Sequence, residues 1–172
     1  RSALEGERKQ VTVLFADIKD STELIRDLDP EAAQQLLDPA LHAMMAAVHR
    51  YEGTVNQVLG DGIMALFGAP VDDVDHADDA VTTAVEMVRE LGELNRRWAA
   101  EGRVQLDIGI GVNSGDMIAG NIGSSAIMSY TVIGDNVNLG ARLESLNKDY
   151  KTRIIISEAT RGRLGKSYEL RP

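Results

Sequence analysis

Apolar residues recur along this chain with two periods, and the switches between them mark out its elements. Val11–Ile18 is almost wholly apolar, so Arg8–Asp17 reads as a strand buried on at least one face. Ser21–Leu28 reads as a short helix. Asp29-Pro30-Glu31 is a helix start: Asp caps, Pro fits the first turn, and Glu meets the positive end of the dipole. Leu36, Leu37, Ala40, Leu41, Met44 and Val48 follow at helical spacing. Pro39 is expected to kink that run or to begin a new helix capped by Asp38, and Gly53 ends it. Val55–Phe67 reads as a hairpin turning at Gly60-Asp61-Gly62. Asp75–Ala100 is a long amphipathic helix with Ala77, Ala80, Val81, Ala84, Val85, Val88, Leu91 and Leu94 on one face. Val104–Val112, Asp116–Ala119 and Ser129–Ile133 read as strands, the last two joined by a loop at 123–127. Asn136–Leu146 is a helix, Arg153–Ile156 a short strand and Glu158–Leu164 a last helix. The order β-α-α-β-β-α-β-β-β-α-β-α implies an α/β fold (an α+β sandwich), a ferredoxin-like mixed sheet with helices packed on one face. It forms one domain over residues 1–172.

The composition narrows the function classes. A net charge of −9 argues against a nucleic-acid partner, which needs a basic face. With no cysteine there is no disulfide framework, no thiolate metal site and no thiol nucleophile. No apolar run reaches the ~20 residues of a membrane span. The chain begins at Arg1 rather than Met, which reads as a segment of a longer protein with a regulatory domain or anchor elsewhere. A cytoplasmic setting, or the cytoplasmic side of a membrane, fits it.

The candidate chemistry lies at two strand ends. Asp17 follows the first strand, and Asp61 occupies the hairpin turn. If the two strands share a sheet, both carboxylates meet at one edge. That is costly unless a cation neutralises them, and oxygen ligands suit Mg²⁺ or Mn²⁺. Carboxylates holding divalent metals at strand ends serve phosphoryl chemistry.

A third segment, Tyr130–Leu146 (YTVIGDNVNLGARLESL), completes a pattern with FADI and GDGIMALFG. In this order and spacing the chain resembles the catalytic domain of class III nucleotidyl cyclases, the adenylyl and guanylyl cyclases, from about Arg8 to Glu169. The resemblance implies the class III cyclase catalytic fold. It implies two metal ions per site on Asp17, Asp61 and the Ile18 carbonyl, and a ribose-positioning Asn138. Arg142 would then bond the α-phosphate in the transition state, four residues on and on the same helix face. It further implies a head-to-tail homodimer in which Asn138 and Arg142 come from the partner. Gln57 and Thr131 fall where the family reads the base. Gln57 can face adenine or guanine by turning its amide, and Thr131 favours adenine. The expected activity is adenylate cyclase, ATP to 3′,5′-cyclic AMP and pyrophosphate. The alternatives are a guanylate cyclase acting on GTP and a weakly catalytic nucleotide sensor.

Two departures bear on triphosphate binding: Ile127 stands where many relatives carry a phosphate-contacting Arg, and the two final strands of the family are expected to be missing after Pro172. The acidic cluster Asp72, Asp73, Asp75, Asp78 and Asp79 reads as a solvated helix start. Gly162–Ser167 reads as a helix end, and His42, His49 and His76 as helix-surface residues. Gly109, Gly111 and Gly115 read as permitting close strand packing.

Overall fold

The computed structural model describes residues 4–123 and 128–172. The elements are β1 (Leu4–Ile18), α1 (Ser21–Ile25), α2 (Pro30–Arg50), β2 (Thr54–Val58), β3 (Gly62–Phe67) and α3 (His76–Ala100). They continue with β4 (Ile108–Gly123), β5 (Met128–Ile133), α4 (Asp135–Tyr150), β6 (Ile154–Ile156) and α5 (Glu158–Arg161). One mixed sheet runs β2-β3-β1-β4-β5, with β6 parallel to the first part of β4. This is the expected fold class.

The helices cover both faces, not one. Side chains alternate across a strand. Leu14, Ala16 and Ile18 of β1 therefore join Ile108, Ile110 and Val112 of β4 beneath α2 and α3. Val11, Val13 and Phe15 face the other way, towards Met64, Leu66, Met117 and Val132. On this second face α4 lies against the sheet. A Cβ on Gly140 would come within 2.8 Å of Val13 and 3.1 Å of Phe15, and a Cβ on Gly111 would overlap the Glu144 amide. The glycines thus permit a close approach, but of helix to strand. Gly115 likewise makes room for the Asn136 side chain.

Several elements depart from the sequence pattern for identifiable reasons. Pro39 neither breaks nor restarts α2. Leu37, Ala40, Leu41 and Met44 on either side are buried in the core, while Pro39 itself is exposed, so the carbonyl it leaves unbonded meets water. The two strands expected at Val104–Val112 and Asp116–Ala119 are the single strand β4, paired along its length with β1. Residues 104–107 do not join it. The Asn95 side chain on α3 instead accepts from the Leu106 amide (2.8 Å) and donates to its carbonyl (2.7 Å). On α3, Val85 is 49% exposed and Met87 takes the buried place. Neither His76 nor Asp78 is a surface residue. His76 Nδ1 lies 2.6 Å from the Thr12 hydroxyl, which leads on to Ser114 and Thr160. Burial lowers the His76 pKa. Asp78 accepts from the amides of Gly165 (2.9 Å) and Lys166 (3.1 Å), so it ties the last residues to the start of α3.

Candidate active site

The first strand and the hairpin turn meet as the sequence pattern implies. Asp17 pairs with Gly62 on one side and Gly109 on the other. The Ile18 amide donates to the Asp61 carbonyl at 3.1 Å, which ties the turn to the end of β1. Asp20 then adopts a left-handed conformation (φ 54°), which swings the chain into α1. The buried Ser21 hydroxyl that follows donates to the Asp61 carboxylate. Gly62 is required by this packing, because a Cβ there would overlap the Asp17 carboxylate and the Ala16 carbonyl.

A third carboxyl group joins them that sequence reasoning did not single out. Glu144 of α4 hydrogen-bonds Asp17. Its pKa is pushed up to about 8 by burial first, then by that hydrogen bond and by the charges of Asp17 and Asp61. The glycines under α4 make this possible, since they let the helix come down until Glu144 reaches the end of β1. A signal was present: Gly109 and Gly111 alternate along one face of the strand pattern, small residues that mark where a helix can press on the sheet.

A raised carboxyl pKa has a defined effect on stability. Between the usual 4.5 and about 8 the folded protein keeps a proton that the unfolded chain releases. Stability therefore falls as pH rises through this window and levels off above it. Glu144→Gln, which resembles the protonated form, is expected to raise the stability at pH 8 in the presence of a chelator. Solvent screening at a half-exposed site limits the gain to about 1–2 kcal/mol. The gain should vanish near pH 5. Urea titrations at both pH values check this, and an equal shift at both would contradict it.

The remaining expected residues divide into two groups. Asn138 and Arg142 share one exposed face of α4. Arg142 enters no ion pair among the described residues. Each helical residue advances by about 100°. Glu144 therefore points inward to Asp17 while Arg142, two positions earlier, points away. The chain does not bring Asn138 and Arg142 onto its own aspartates. On β2 and β5 it is Asn56, the neighbour of Gln57, that meets Thr131. Thr131 donates to Asn56 Oδ1 at 2.8 Å, and Asn56 Nδ2 donates to the Tyr130 carbonyl at 2.6 Å. Gln57 is exposed. Ile127 lies outside the described residues. Two cavities of about 440 Å³ lie beside Val88, Asp107 and Arg153, and neither Asp17 nor Asp61 lines them.

The donor set at the strand ends suits a divalent cation. Asp17 and Asp61 bring two carboxylates together at the strand ends, and burial first, then Asp17 and Asp61, raises the pKa of Glu144 beside them. Hard oxygen ligands of this kind bind Mg²⁺ or Mn²⁺. Among the described residues, no three acidic, histidine or cysteine side chains already stand in metal-ligand geometry. The site is thus a two-aspartate platform with Glu144 behind Asp17.

Among the described residues, no helix is long and apolar enough to cross a membrane. Residues 5–172 match the family model for the adenylate and guanylate cyclase catalytic domain. Adenylate cyclase 1 of Rhizobium meliloti is 32% identical over 165 residues, 96% of this chain and 25% of that protein. The chain thus spans about a quarter of the length of that curated relative. The crystal structure of the guanylyl cyclase Cya2 has a TM-score of 0.85 at 36% identity, covering 95% of this chain and 82% of that one. That of the adenylyl cyclase CyaB from P. aeruginosa has a TM-score of 0.83 at 36% identity, covering 93% and 82%.

Proposed function

The chain belongs to the adenylate and guanylate cyclase catalytic domain family, and on that premise we propose that it is an adenylyl cyclase domain. It converts ATP to 3′,5′-cyclic AMP and pyrophosphate at a site shared by two copies. The observation that carries this reading is the split arrangement. Asp17 and Asp61 converge at one end of the sheet, while Asn138 and Arg142 face outward on α4. A second copy is therefore needed to complete the site.

In the complete site Asp17, Asp61 and the Ile18 carbonyl would hold the metal ions. When bound, these supply the positive charge that neutralises the triphosphate and favours an oxyanion at the ribose 3′ position. Asn138 of the second copy orients the ribose. Arg142 donates to the α-phosphate oxygens, where charge builds in the transition state. The 3′ oxygen forms a bond to the α-phosphorus as the bond to the bridging oxygen breaks. Pyrophosphate leaves, and the hydroxyl proton passes to solvent. Gln57 and Thr131 face the base. Glu144 backs Asp17 and limits its side-chain freedom.

GTP is the second reading. It is favoured by the exposed Gln57 amide, which offers both a donor and an acceptor, and by the likeness to a guanylyl cyclase structure. The reaction type is tested by incubating the protein with ATP and Mn²⁺ and measuring all products. Cyclic AMP and pyrophosphate in equal amounts are expected. ADP or AMP as the main product would overturn the cyclase reading in favour of hydrolysis.

A further inference from the structure

We propose that Asn56 is a positioning residue that fixes the hydrogen-bond polarity of Thr131, so that the site selects a purine with a donor at position 6. That purine is adenine, in preference to any 6-oxo purine. The inference rests on the reading above that Thr131 faces the base.

The chain of bonds leaves one arrangement. The Tyr130 carbonyl can only accept, so the group of Asn56 that meets it at 2.6 Å must be the amide nitrogen. The Asn56 oxygen is then the atom 2.8 Å from the Thr131 hydroxyl, and it too can only accept. The Thr131 proton is therefore committed to Asn56. Only lone pairs remain for a base. The exocyclic amine of adenine can donate to them, whereas the carbonyl of a 6-oxo purine would meet them oxygen to oxygen. An unpaired or repelled polar contact of this kind costs about tenfold or more in affinity.

The backbone explains how Asn56 comes to this place. Pairing of β2 with β3 slips between Val55 and Gln57, leaving Asn56 as the extra residue of a bulge. Bulges re-aim side chains, and here the bulge turns an edge-strand residue towards β5. Gln57, the next residue, is exposed. Gln57 can satisfy either purine, so discrimination at position 6 falls to Thr131 and, through it, to Asn56.

The test measures binding of 3′-deoxy-ATP and 3′-deoxy-ITP, which lack the attacking hydroxyl and differ at position 6. Calorimetry with Mn²⁺ is expected to show 3′-deoxy-ATP bound about tenfold tighter by the wild-type protein. Asn56→Ala frees the Thr131 hydroxyl to turn, and the ratio should fall to about twofold or less, chiefly through tighter 3′-deoxy-ITP binding. Asn56→Asp keeps an acceptor for Thr131 but sets its other oxygen against the Tyr130 carbonyl, so it should keep an adenine preference below that of the wild type and above that of Asn56→Ala, a partial rescue that a merely structural role would not give. In a Thr131→Val background, Asn56→Ala should not change the ratio further. If Asn56→Ala does not fold, Thr131→Val alone must lose the preference. A wild-type ratio near one, or an unchanged ratio in Asn56→Ala, would overturn the proposal. Turnover is scored separately. Absence of cyclic product with these ratios intact would remove the cyclase reading and leave Asn56 in its role. Cyclic AMP production with a ratio indifferent to Asn56 would do the reverse.

Discussion

Replacing Asp17 by Asn, or Asp61 by Asn, is expected to lower kcat with ATP on the order of 10³-fold or more while leaving the fold intact. Losing a carboxylate from the metal platform removes several kcal/mol of transition-state charge stabilisation, and each ~1.4 kcal/mol is tenfold in rate. The fold should survive because the backbone pairing of Asp17 with Gly62 and Gly109 does not involve the side chain. An Asn at position 61 can still accept from Ser21 through its amide oxygen. An amide at position 17 can still accept from the Glu144 carboxyl through its oxygen, so the melting temperature should hold. Steady-state rates and thermal melts decide this together. Turnover within tenfold of wild type in both variants would remove these residues from metal binding.

Mixing two inactive proteins should restore activity. Asp17→Asn damages the strand-end half of the site, and Arg142→Ala the outward face of α4. The two faces point in different directions on one chain. In a head-to-tail dimer each site takes one half from each copy. A heterodimer of the two variants therefore carries one doubly damaged site and one intact site. With random exchange of subunits at equal concentrations, about a quarter of the wild-type rate is expected. Arg142 is exposed and makes no ion pair among the described residues, so its loss should not disturb the fold. The rate is read after co-incubation, against each variant alone. No recovery, with dimers verified by light scattering, would contradict a shared site.

The parts of the site that follow from chain-local patterns were legible in the sequence. Asp17 ends an apolar run and Asp61 sits in a glycine turn, so period and turn chemistry placed both. Asn138 and Arg142 were legible as one helix face because their spacing is helical. What escaped depends on which element lies on which. Glu144 looks like any polar helix residue until Gly109, Gly111 and Gly140 bring α4 onto the sheet. Asn56 alternates with its neighbours in the sequence, and its bulge exists only against β3. Tertiary context likewise overrode local signals at Pro39, where buried neighbours hold α2 together, and at 113–115. There Asn113 bonds the α4 start and Ser114 the Thr12 hydroxyl, keeping β4 continuous through residues that read as a break. Asp78 and His76 were read as solvated because their partners, Gly165, Lys166 and Thr12, lie far along the chain.

The most direct measurement is to offer the purified protein each of the four ribonucleoside triphosphates with Mn²⁺ and to quantify the cyclic products by mass spectrometry. An adenylyl cyclase gives cyclic AMP as the dominant product. Binding of ATP with no cyclic nucleotide from any of the four, at concentrations where the protein is dimeric, would contradict it.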